Sequence, residues 1–589
     1  MPFTAPVDDI AFALKHAAGL DGPQPNTAYA DLGNDVLHAV LEEAGKFATA
    51  VIAPLNRPGD LHGTPFKNGA VTMPPGWKEA YAQWVAAGWN GVAATPDFGG
   101  QGLPHIVNAA CIEMWNSASM AFGLGPFLTM GAVEAMTAHA SEELKARYLS
   151  KLVSGEWMGT MQLTEPQAGS DVGALRTRAE RAPDGTYRIT GQKIFITYGE
   201  HDLTDNIIHF VLARLTDAPP GNRGISLFLV PKFLLDENGK PATRNDARCH
   251  SIEHKLGIHA SPTCTMVYGD EGGAVGYLIG EENRGLACMF TMMNNARLNV
   301  GLQGVAIAER AFQGALDYAR ERRQGRAAGT TDGSSPIIAH PDVRRMLLTM
   351  QALTRASRAL CYATAAAIDG SHRADDDAVR RAANDRASLL TPVAKAFSTD
   401  IGTEVASLGV QVHGGMGFIE ETGAAQHYRD ARIAQIYEGT NGIQAIDLVL
   451  RKLPLGGGAV VKAYIGELRD TAAEVARSNN PAFGKTAQKL DEAIDALERA
   501  TDWLLGQLGG AQEAALAGAT PYLRLFGITA GGAALASEAL AAVRLGETAK
   551  PGERVPLARF FAENLCVQAE GLEASVVEGA DSLAAASLA

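Results

Sequence analysis

Cysteine is scarce in this chain. Its six copies are Cys111, Cys249, Cys264, Cys288, Cys361 and Cys566. None forms a Cys-x-x-Cys pair or joins a His/Cys cluster, so we expect neither a disulfide framework nor a bound metal. This usage is typical of a reducing compartment, which predicts a cytoplasmic location.

Positive charge is also in deficit. The chain has 51 Lys and Arg against 65 Asp and Glu, a net charge of −14. Because cations must neutralise phosphates, we expect no nucleic-acid partner. The first residues carry Asp8 and Asp9 and no basic stretch, which predicts no secretory signal. No window of about 20 residues is free of charged or polar interruption, so no membrane span is expected.

Two common nucleotide-binding motifs are missing. No Gly-x-Gly-x-x-Gly follows a strand-like run, and no Gly-x-x-x-x-Gly-Lys-[Ser/Thr] occurs. The sequence therefore predicts neither a Rossmann site nor a P-loop.

The length of 589 residues exceeds what one hydrophobic core supports, so several domains are expected. Helical periodicity dominates both ends of the chain, and short runs rich in β-branched and aromatic residues lie between them. We predict an α+β multidomain fold: a helical N-terminal domain, a central β-barrel or sandwich domain, a helical bundle domain and an extra C-terminal helical domain. The predicted segments are a leader at 1–34 and domains at 35–157, 158–284, 285–452 and 459–589.

Several elements have clear predicted bounds. In the β segment, Gly191-Gln192 is predicted as a turn between two strands. Ala and Leu stripes in the C-terminal segment indicate a bundle that packs as core or against another subunit. The predicted helices include 286–323, 341–369, 376–409, 521–543 and 555–575.

One carboxylate lies at a break between two helical patterns. Apolar residues recur at helical spacing before and after Glu438-Gly439-Thr440-Asn441. Gly439 breaks the helix, and Thr440 or Asn441 can cap the next one. Glu438 at such a junction can point into a cavity and act as a general base. The alternative is a solvated glutamate in a turn.

A second candidate site lies between the first helical segment and the β segment, at Leu163–Val172. Pro166 interrupts any strand, and Gly169 permits a turn with exposed backbone N–H groups. The hydroxyls of Thr164 and Ser170 are further donors, so the stretch can hold a heteroaromatic ring edge and a pyrophosphate. The alternative is a tight turn with capping hydroxyls.

Four motifs in fixed order resemble the acyl-CoA dehydrogenase family of flavoproteins. They are Leu163–Val172, Gly191–Thr197, Gln411–Gly417 and Tyr437–Thr440, and the resemblance covers about residues 35 to 450. It implies an α domain, a β barrel, a second α domain and FAD as cofactor. The leader and the helical tail further resemble the long subgroup that includes 3-methylmercaptopropionyl-CoA dehydrogenase.

The resemblance implies residues around the flavin ring. Phe195 stands where many relatives carry Trp, and its ring can still stack although it lacks the indole N–H. Phe195 and Thr197 are expected along one edge of the ring. The residues expected on the β-domain side are Met161, Leu163, Thr164 and Ser170.

The resemblance also implies contacts to the rest of the cofactor. Thr440 is expected at the FAD pyrophosphate, whereas Gly442 stands where some relatives have Gln, so no contact is expected from it. Because the adenosine diphosphate half would belong to a neighbouring subunit's FAD, at least a homodimer is expected. The residues expected to hold that half are Arg322, Gln411, Gly414 and Gly415.

Four residues are expected near the substrate. Arg297 would approach the CoA portion, although a helix-surface ion pair is the alternative for it. Asn294 stands where relatives have Asp, which puts its role in doubt. Ser170 and Gly439 complete the expected set.

The implied reaction is α,β-dehydrogenation of an acyl-CoA thioester to the 2-enoyl-CoA. Glu438 would remove the pro-R α-proton while the β-hydrogen leaves as hydride to the flavin, and burial would raise the pKa of Glu438 toward neutrality. An electron-transferring flavoprotein is the expected acceptor. The substrate is left open between 3-methylmercaptopropionyl-CoA and a short-, medium- or long-chain fatty acyl-CoA. The alternatives are an acyl-CoA oxidase that uses oxygen and a non-catalytic protein that binds flavin or CoA esters.

Overall fold

The computed structural model describes residues 3–20, 27–30, 32–331, 333–546 and 554–587, without the side chains of Thr27 and Asn294. The chain forms two compact units. The first unit comprises Met1–Gly45, Pro104–Ser117 and Arg297–Ala589. The second unit comprises Lys46–Leu103 and Ala118–Ala296.

Helices dominate the part of the chain before the sheet, as predicted. Many are buried on several sides, and Met120–His139 is almost wholly buried. The helices here are α1 (Val7–His16), α2 (Asn34–Phe47), α3 (Ala53–His62), α4 (Trp77–Ala86), α5 (His105–Ala118), α6 (Met120–His139), α7 (Glu142–Leu144) and α8 (Ser150–Ser154).

Twelve strands are described. The small hairpin β1–β2 comprises Phe66–Lys67 and Ala70–Val71, and β8 (Phe233–Leu235) pairs with β9 (Pro241–Arg244). The eight strands of the main sheet are β3 (Met158–Gln162), β4 (Arg178–Arg181), β5 (Tyr187–Thr197), β6 (Ile207–Leu215), β7 (Ile225–Pro231), β10 (Ala247–Ile252), β11 (Thr263–Tyr268) and β12 (Ala274–Ile279).

The main sheet has the order β10-β11-β5-β12-β7-β6-β3, and β4 pairs with both β5 and β6. Neighbours are antiparallel except β3 and β4, which each run parallel to β6. Its interior is filled by buried side chains such as Ile189, Val211, Phe228 and Met266. This barrel-like sheet without long crossover helices confirms the predicted central β fold.

One predicted turn is wrong. Strand β5 runs unbroken through Gly191-Gln192. Gly191 has φ +152° rather than a turn conformation, and a Cβ there would lie 2.6 Å from Thr177 Oγ1. The glycine therefore marks a close approach to a neighbouring chain segment, which sequence punctuation does not distinguish from a turn.

The second half of the chain is helical. The three predicted long helices exist; the first ends two residues earlier than predicted, and the other two each end four residues later. The helices up to the C-terminal segment are α9 (Gly285–Glu321), α10 (Pro341–Arg373), α11 (Asp377–His413), α12 (Gly415–Phe418), α13 (Ala424–Ala431) and α14 (Asn441–Asp447).

The C-terminal segment is a helical bundle. The helix predicted at 555–575 is in fact two helices, separated by a 3₁₀ turn at Cys566–Gln568. The helices are α15 (Ala459–Arg477), α16 (Thr486–Gln507), α17 (Gln512–Ala517), α18 (Ala519–Arg544), α19 (Arg554–Asn564) and α20 (Ala569–Ala585). The predicted domain boundaries themselves stay predictions.

Helix α18 is the centre of this bundle. Among the residues described, it is the one helix with the length and hydropathy of a membrane span. From the sequence it was not predicted as a candidate span. Yet 83% of its apolar window is buried inside the fold. Gly527 faces the ring of Phe397, and Gly531 faces Ala356, so a Cβ at either would lie under 3.0 Å from a neighbour. Small residues thus let α18 pack closely on α11 and α10, as in a core helix.

Candidate active site

Glu438 lies in a turn between a 3₁₀ segment, Arg432–Gln435, and helix α14. Glu438 has φ +55° and Gly439 has φ +84°, so two consecutive residues are left-handed. The hydroxyl of Thr440 caps α14 by accepting from the N–H of Ile443 at 3.2 Å. The predicted helix break and cap are confirmed. A left-handed glutamate costs about 1–2 kcal/mol, so its surroundings must hold it.

Two buried side chains hold this turn. Lys395 Nζ donates to Gly439 O at 2.8 Å and to Asn441 Oδ1 at 2.8 Å. Gln444 Nε2 donates to Glu438 O at 3.2 Å and to Gly439 O at 3.4 Å. A Cβ on Gly439 would lie 2.7 Å from Gln444 Nε2, so this position requires glycine for space as well as for φ.

Asn441 docks the turn onto α11. Its Nδ2 donates to Ala396 O at 3.2 Å, to Thr399 Oγ1 at 3.0 Å and to Asp400 Oδ1 at 2.7 Å. Gln435 Nε2 donates to the same Asp400 oxygen at 2.6 Å. The chain on both sides of Glu438 is therefore tied to one helix.

Tyr437 anchors the upstream side of the turn. Its hydroxyl donates to Gln303 Oε1, and Gln303 Nε2 donates to Asn116 Oδ1 at 3.2 Å. This buried chain of polar groups links the turn to α9 and α5. It fixes the residue before Glu438.

The carboxylate of Glu438 itself has no hydrogen bond or ion pair within the described part of the chain, although Arg297 and Lys395 are close enough to act on it electrostatically. Burial raises the pKa of Glu438 to about 7, against the two positive charges, which lower it. Burial also lowers the pKa of Lys395 to about 7, against the carboxylates of Glu438 and Asp400. A carboxyl poised near neutrality suits proton transfer, as the sequence predicted.

Arg297 lies near this carboxylate on α9. Its Nη1 is 3.6 Å from Asp447 Oδ2, and 12% of its side chain is exposed. Its Nε is buried and has no hydrogen-bond partner among the residues that the structure describes. The ion pair predicted as the alternative thus exists, although it is mostly buried rather than on the helix surface. Asn294, the other α9 candidate, has its side chain outside the described residues.

Phe195 belongs to the second unit and lies at a β-bulge. The register of β5 against β11 shifts between Cys264 and Met266, so two residues of β5 oppose one of β11. Phe195 has φ +60°, and its side chain is 58% exposed. The bulge therefore turns an aromatic ring outward, where it can stack on a planar ligand.

Three hydroxyls near this ring's strand and the preceding turn are free. Those of Thr164, Ser170 and Thr197 make no hydrogen bond among the residues that the structure covers. Met161 is buried, and Leu163 is partly buried. Free donors and an exposed ring, next to apolar side chains, fit the polar edge and flat face of a flavin.

The turn that carries Thr164 is held by a buried ion pair. Lys193 Nζ donates to Glu165 Oε1 at 2.8 Å and to Leu163 O at 3.0 Å. Glu165 also accepts from Thr177 Oγ1 at 2.6 Å and from the N–H of Arg176 at 2.6 Å. Although burial raises the pKa of Glu165, the charge of Lys193 and the hydrogen bonds from Lys193, Thr177 and Arg176 together outweigh it, and the pKa falls to about 2.

The residues expected at the adenosine diphosphate half lie at two helix ends in the first unit. Tyr318 stacks on His413 with ring centroids 4.4 Å apart, which brings the end of α9 beside the end of α11. Gly414 has φ +60° and ψ −139°, a conformation that favours glycine, and neither it nor Gly415 has an atom within 4 Å of an added Cβ. The side chains of Gln411 and Arg322 are exposed.

Arg322 is free to bind an anion. Its guanidinium has no hydrogen bond or ion pair in the described ranges. A guanidinium beside open glycine backbone can hold a pyrophosphate.

The sequence reasoning missed the residues that hold these two turns. A signal existed for the lysines, because Lys395 lies in the apolar run Val393–Phe397 and Lys193 precedes the apolar pair Ile194-Phe195. A charged residue in an apolar stretch indicates a buried polar contact. The missed residues are Glu165, Lys193, Lys395 and Gln444, and Asn441 was predicted only as a possible cap.

No group of three or more His, Cys, Asp or Glu side chains is arranged to hold a metal in the part of the chain that the structure describes. All six cysteines are buried and free.

Four family models match the chain in sequence order. Acyl-CoA dehydrogenase, N-terminal domain, matches residues 34–156, and Acyl-CoA dehydrogenase, middle domain, matches 160–270. Acyl-CoA dehydrogenase, C-terminal domain, matches 283–453, and Acetyl-CoA dehydrogenase C-terminal like matches 464–587.

Individual proteins match as well. The chain is 48% identical to the 3-methylmercaptopropionyl-CoA dehydrogenase of Ruegeria pomeroyi, over 100% of both chains. It is 39% identical to a butyryl-CoA dehydrogenase of Syntrophomonas wolfei, over 83% of this chain and 81% of that one. The crystal structure of an acyl-CoA dehydrogenase complexed with FAD from Bacillus anthracis has a TM-score of 0.75 at 21% identity, and covers 94% of this chain and 89% of that one. That last likeness shows the fold.

Proposed function

The chain belongs to the acyl-CoA dehydrogenase family, and we propose that it uses FAD to oxidise the Cα–Cβ bond of an acyl-CoA thioester to the 2-enoyl-CoA. The observation that carries the proposal is the partly buried carboxylate of Glu438, which has no partner among the described residues and whose pKa is raised to about 7. A structural glutamate at such a position would be expected to have a partner, as buried charges in proteins usually do.

Glu438 is the proposed general base. Below its pKa the carboxyl is protonated and cannot accept the α-proton, and above it the carboxylate can. The turn held by Lys395 and Gln444 fixes where the carboxylate lies, so little reorganisation is needed at the moment of transfer.

Removing a proton α to a thioester places negative charge on its carbonyl oxygen. The backbone N–H groups of Glu438 and Gly439 make no hydrogen bond within the described ranges, so both are available as donors. We propose that the N–H of Glu438 stabilises this oxygen, in the manner of an oxyanion hole. Gly439 allows the thioester to approach the backbone.

The proposed FAD contacts follow the free groups described above. FAD, when bound, supplies the acceptor for the β-hydrogen, which leaves as hydride. Thr440 uses its hydroxyl oxygen to cap α14 and keeps its hydroxyl proton to donate. The residues proposed to hold the flavin portion are Met161, Leu163, Thr164, Ser170, Phe195 and Thr197. Those proposed at the phosphates and adenosine are Arg322, Gln411, Gly414, Gly415 and Thr440.

For the acyl group, we propose 3-methylmercaptopropionyl-CoA first and butyryl-CoA second, since relatives with these names are 48% and 39% identical. Arg297 and Ser170 are proposed at the substrate, with Arg297 near the CoA portion. An electron-transferring flavoprotein as acceptor, a homodimer or larger homo-oligomer, and a cytoplasmic location are parts of the same proposal.

Anaerobic flavin bleaching tests this function. Purified protein with bound FAD is mixed with 3-methylmercaptopropionyl-CoA, butyryl-CoA, octanoyl-CoA and palmitoyl-CoA, and flavin absorbance is followed. We expect at least one ester to bleach the flavin and to yield its 2-enoyl-CoA. Failure of every ester would favour a non-catalytic binding protein. Rapid reoxidation by air with one peroxide per turnover would favour an acyl-CoA oxidase instead.

A further inference from the structure

Lys395 is a buried charge with an unusual set of partners. Its side chain is wholly buried on α11. Its Nζ donates to one backbone carbonyl, Gly439 O, and one amide oxygen, Asn441 Oδ1. No carboxylate forms an ion pair with it among the described residues, whereas the other wholly buried lysine, Lys193, pairs directly with Glu165 at 2.8 Å.

Both acceptors of Lys395 belong to the turn that carries Glu438. Gly439 follows Glu438 directly, and Asn441 begins α14. The ammonium thus joins the two ends of a turn with two left-handed residues. Since an unpaired buried ammonium is costly, its positive charge favours any negative charge that forms close by.

The charged groups around Glu438 come from three elements. Arg297 lies on α9, where Asp447 of α14 partly neutralises it at 3.6 Å. Lys395 and Asp400 lie on α11, and Asp400 accepts from Gln435 and Asn441. Lys395 is therefore the cation nearby whose charge is not shared with a carboxylate at ion-pair distance.

We propose that Lys395 is a positioning residue for Glu438: its ammonium holds the Glu438–Asn441 turn and places positive charge close to the carboxylate, so that Glu438 ionises at a lower pH than it would without Lys395. This inference rests on the proposed function of Glu438 as a base. It assigns to Lys395 an electrostatic effect in addition to a structural one.

The test is a pH profile of flavin reduction for the wild type, Lys395→Met and Lys395→Arg. Lys395→Met keeps most of the volume and removes the charge, so the pKa of Glu438 should rise further. We expect the midpoint of the profile to move up by about one unit or more, with about a tenfold slower reduction at pH 7 and recovery at high pH. Lys395→Arg keeps the charge and should keep its midpoint near that of the wild type.

The matched control is Lys462→Met on α15, where the lysine pairs with Asp502 at 2.8 Å and is 54% exposed. It should change neither midpoint nor rate. If Lys395→Met does not fold, Lys395→Gln removes the same charge. A uniform loss of rate at every pH with an unmoved midpoint would overturn the proposal, because that is the signature of a merely structural clamp.

A second readout does not need turnover. The protonated carboxyl band of Glu438, assigned by its loss in Glu438→Gln, is titrated by infrared difference spectroscopy. In Lys395→Met the midpoint of this infrared titration should rise by the same amount as the midpoint of the pH profile of flavin reduction. A shifted titration in a protein that no acyl-CoA bleaches would refute the dehydrogenase function alone. Bleaching of the wild type with an unmoved titration in Lys395→Met would refute the role of Lys395 alone.

Discussion

Two clusters of charged side chains in the first unit are built in opposite ways. In the Arg358 cluster, Arg358 donates to Glu113 Oε1 at 2.7 and 2.8 Å and to Glu309 Oε2 at 2.8 Å. Tyr362 donates to the other oxygen of Glu113 at 2.5 Å. In the Glu438 cluster, formed by Arg297, Lys395 and Glu438, the carboxylate has no direct partner among the described residues.

The difference shows in the pKa values. Burial alone would lower the pKa of Arg358, but the carboxylates of Glu113 and Glu309 outweigh it and raise the pKa above its usual range. Burial of Glu438 is opposed only by charges that do not touch it, so its pKa rises to about 7. A charge that is paired directly, such as Arg358, keeps its ionisation state and serves the structure. A carboxylate without a direct partner, such as Glu438, can exchange a proton near neutral pH.

The largest expected effect is on the unpaired cluster. Glu438→Gln keeps the shape of the turn and removes the base, so flavin reduction should slow by about 10²- to 10⁴-fold or more. Stopped-flow absorbance with the best acyl-CoA measures it, and FAD content should be unchanged.

Glu474→Gln serves as the control for that substitution, because Glu474 pairs with Arg544 on the exposed surface of the C-terminal bundle. It should reduce flavin at the wild-type rate. If Glu438→Gln reduces flavin at nearly the wild-type rate, Glu438 is not the general base.

The next effect is on the paired cluster. Arg358→Leu leaves the carboxylates of Glu113 and Glu309 without their positive partner in a region where the arginine side chain is 1% exposed. We expect a loss of about 3–5 kcal/mol in the free energy of unfolding, measured by denaturant titration, with the flavin reduction rate of the folded protein little changed.

Arg544→Leu is its surface counterpart, since Arg544 is 60% exposed. Stability should scarcely change, because exposed ion pairs contribute little. Equal losses in Arg358→Leu and Arg544→Leu would contradict a structural role for the paired cluster.

The smallest effect is the pH dependence of stability. Because the pKa of Glu438 is about 7 in the folded protein and near 4.5 when exposed, the folded state keeps a proton that the unfolded state releases between these values. The contribution of Glu438 to stability should therefore fall as pH rises from about 4.5 to 7, and the difference between wild type and Glu438→Gln isolates it. Glu438→Gln lacks this loss, so at pH 8 it should melt about 1–3 °C higher than the wild type and at pH 4.5 about equally. If Glu438→Gln melts below the wild type at pH 8, the ionised Glu438 carboxylate is stabilised by the folded protein and the prediction is wrong.

Much of the fold followed from local patterns. The long helices and the β segment were predicted because periodicities of 3.6 and 2 depend on neighbours along the chain. The Glu438 turn followed from Gly439 and Thr440, whose backbone and capping preferences are local as well. The errors came where local signals are ambiguous. Gly191 lies inside strand β5, where the close approach of Thr177 leaves no space for a Cβ, and the last predicted helix is split at Cys566–Gln568.

The sequence by itself determined that a carboxylate stands at a helix break, followed by a glycine and a cap, in a chain built of helical and β segments. Only the tertiary structure decided that Lys395, 43 positions before Glu438 in the numbering, holds its turn, and that Arg358 neutralises Glu113 across 245 positions. The physical reason is that conformational preference acts between near neighbours in sequence. Charge, burial and the resulting pKa depend on which groups the fold brings together in space.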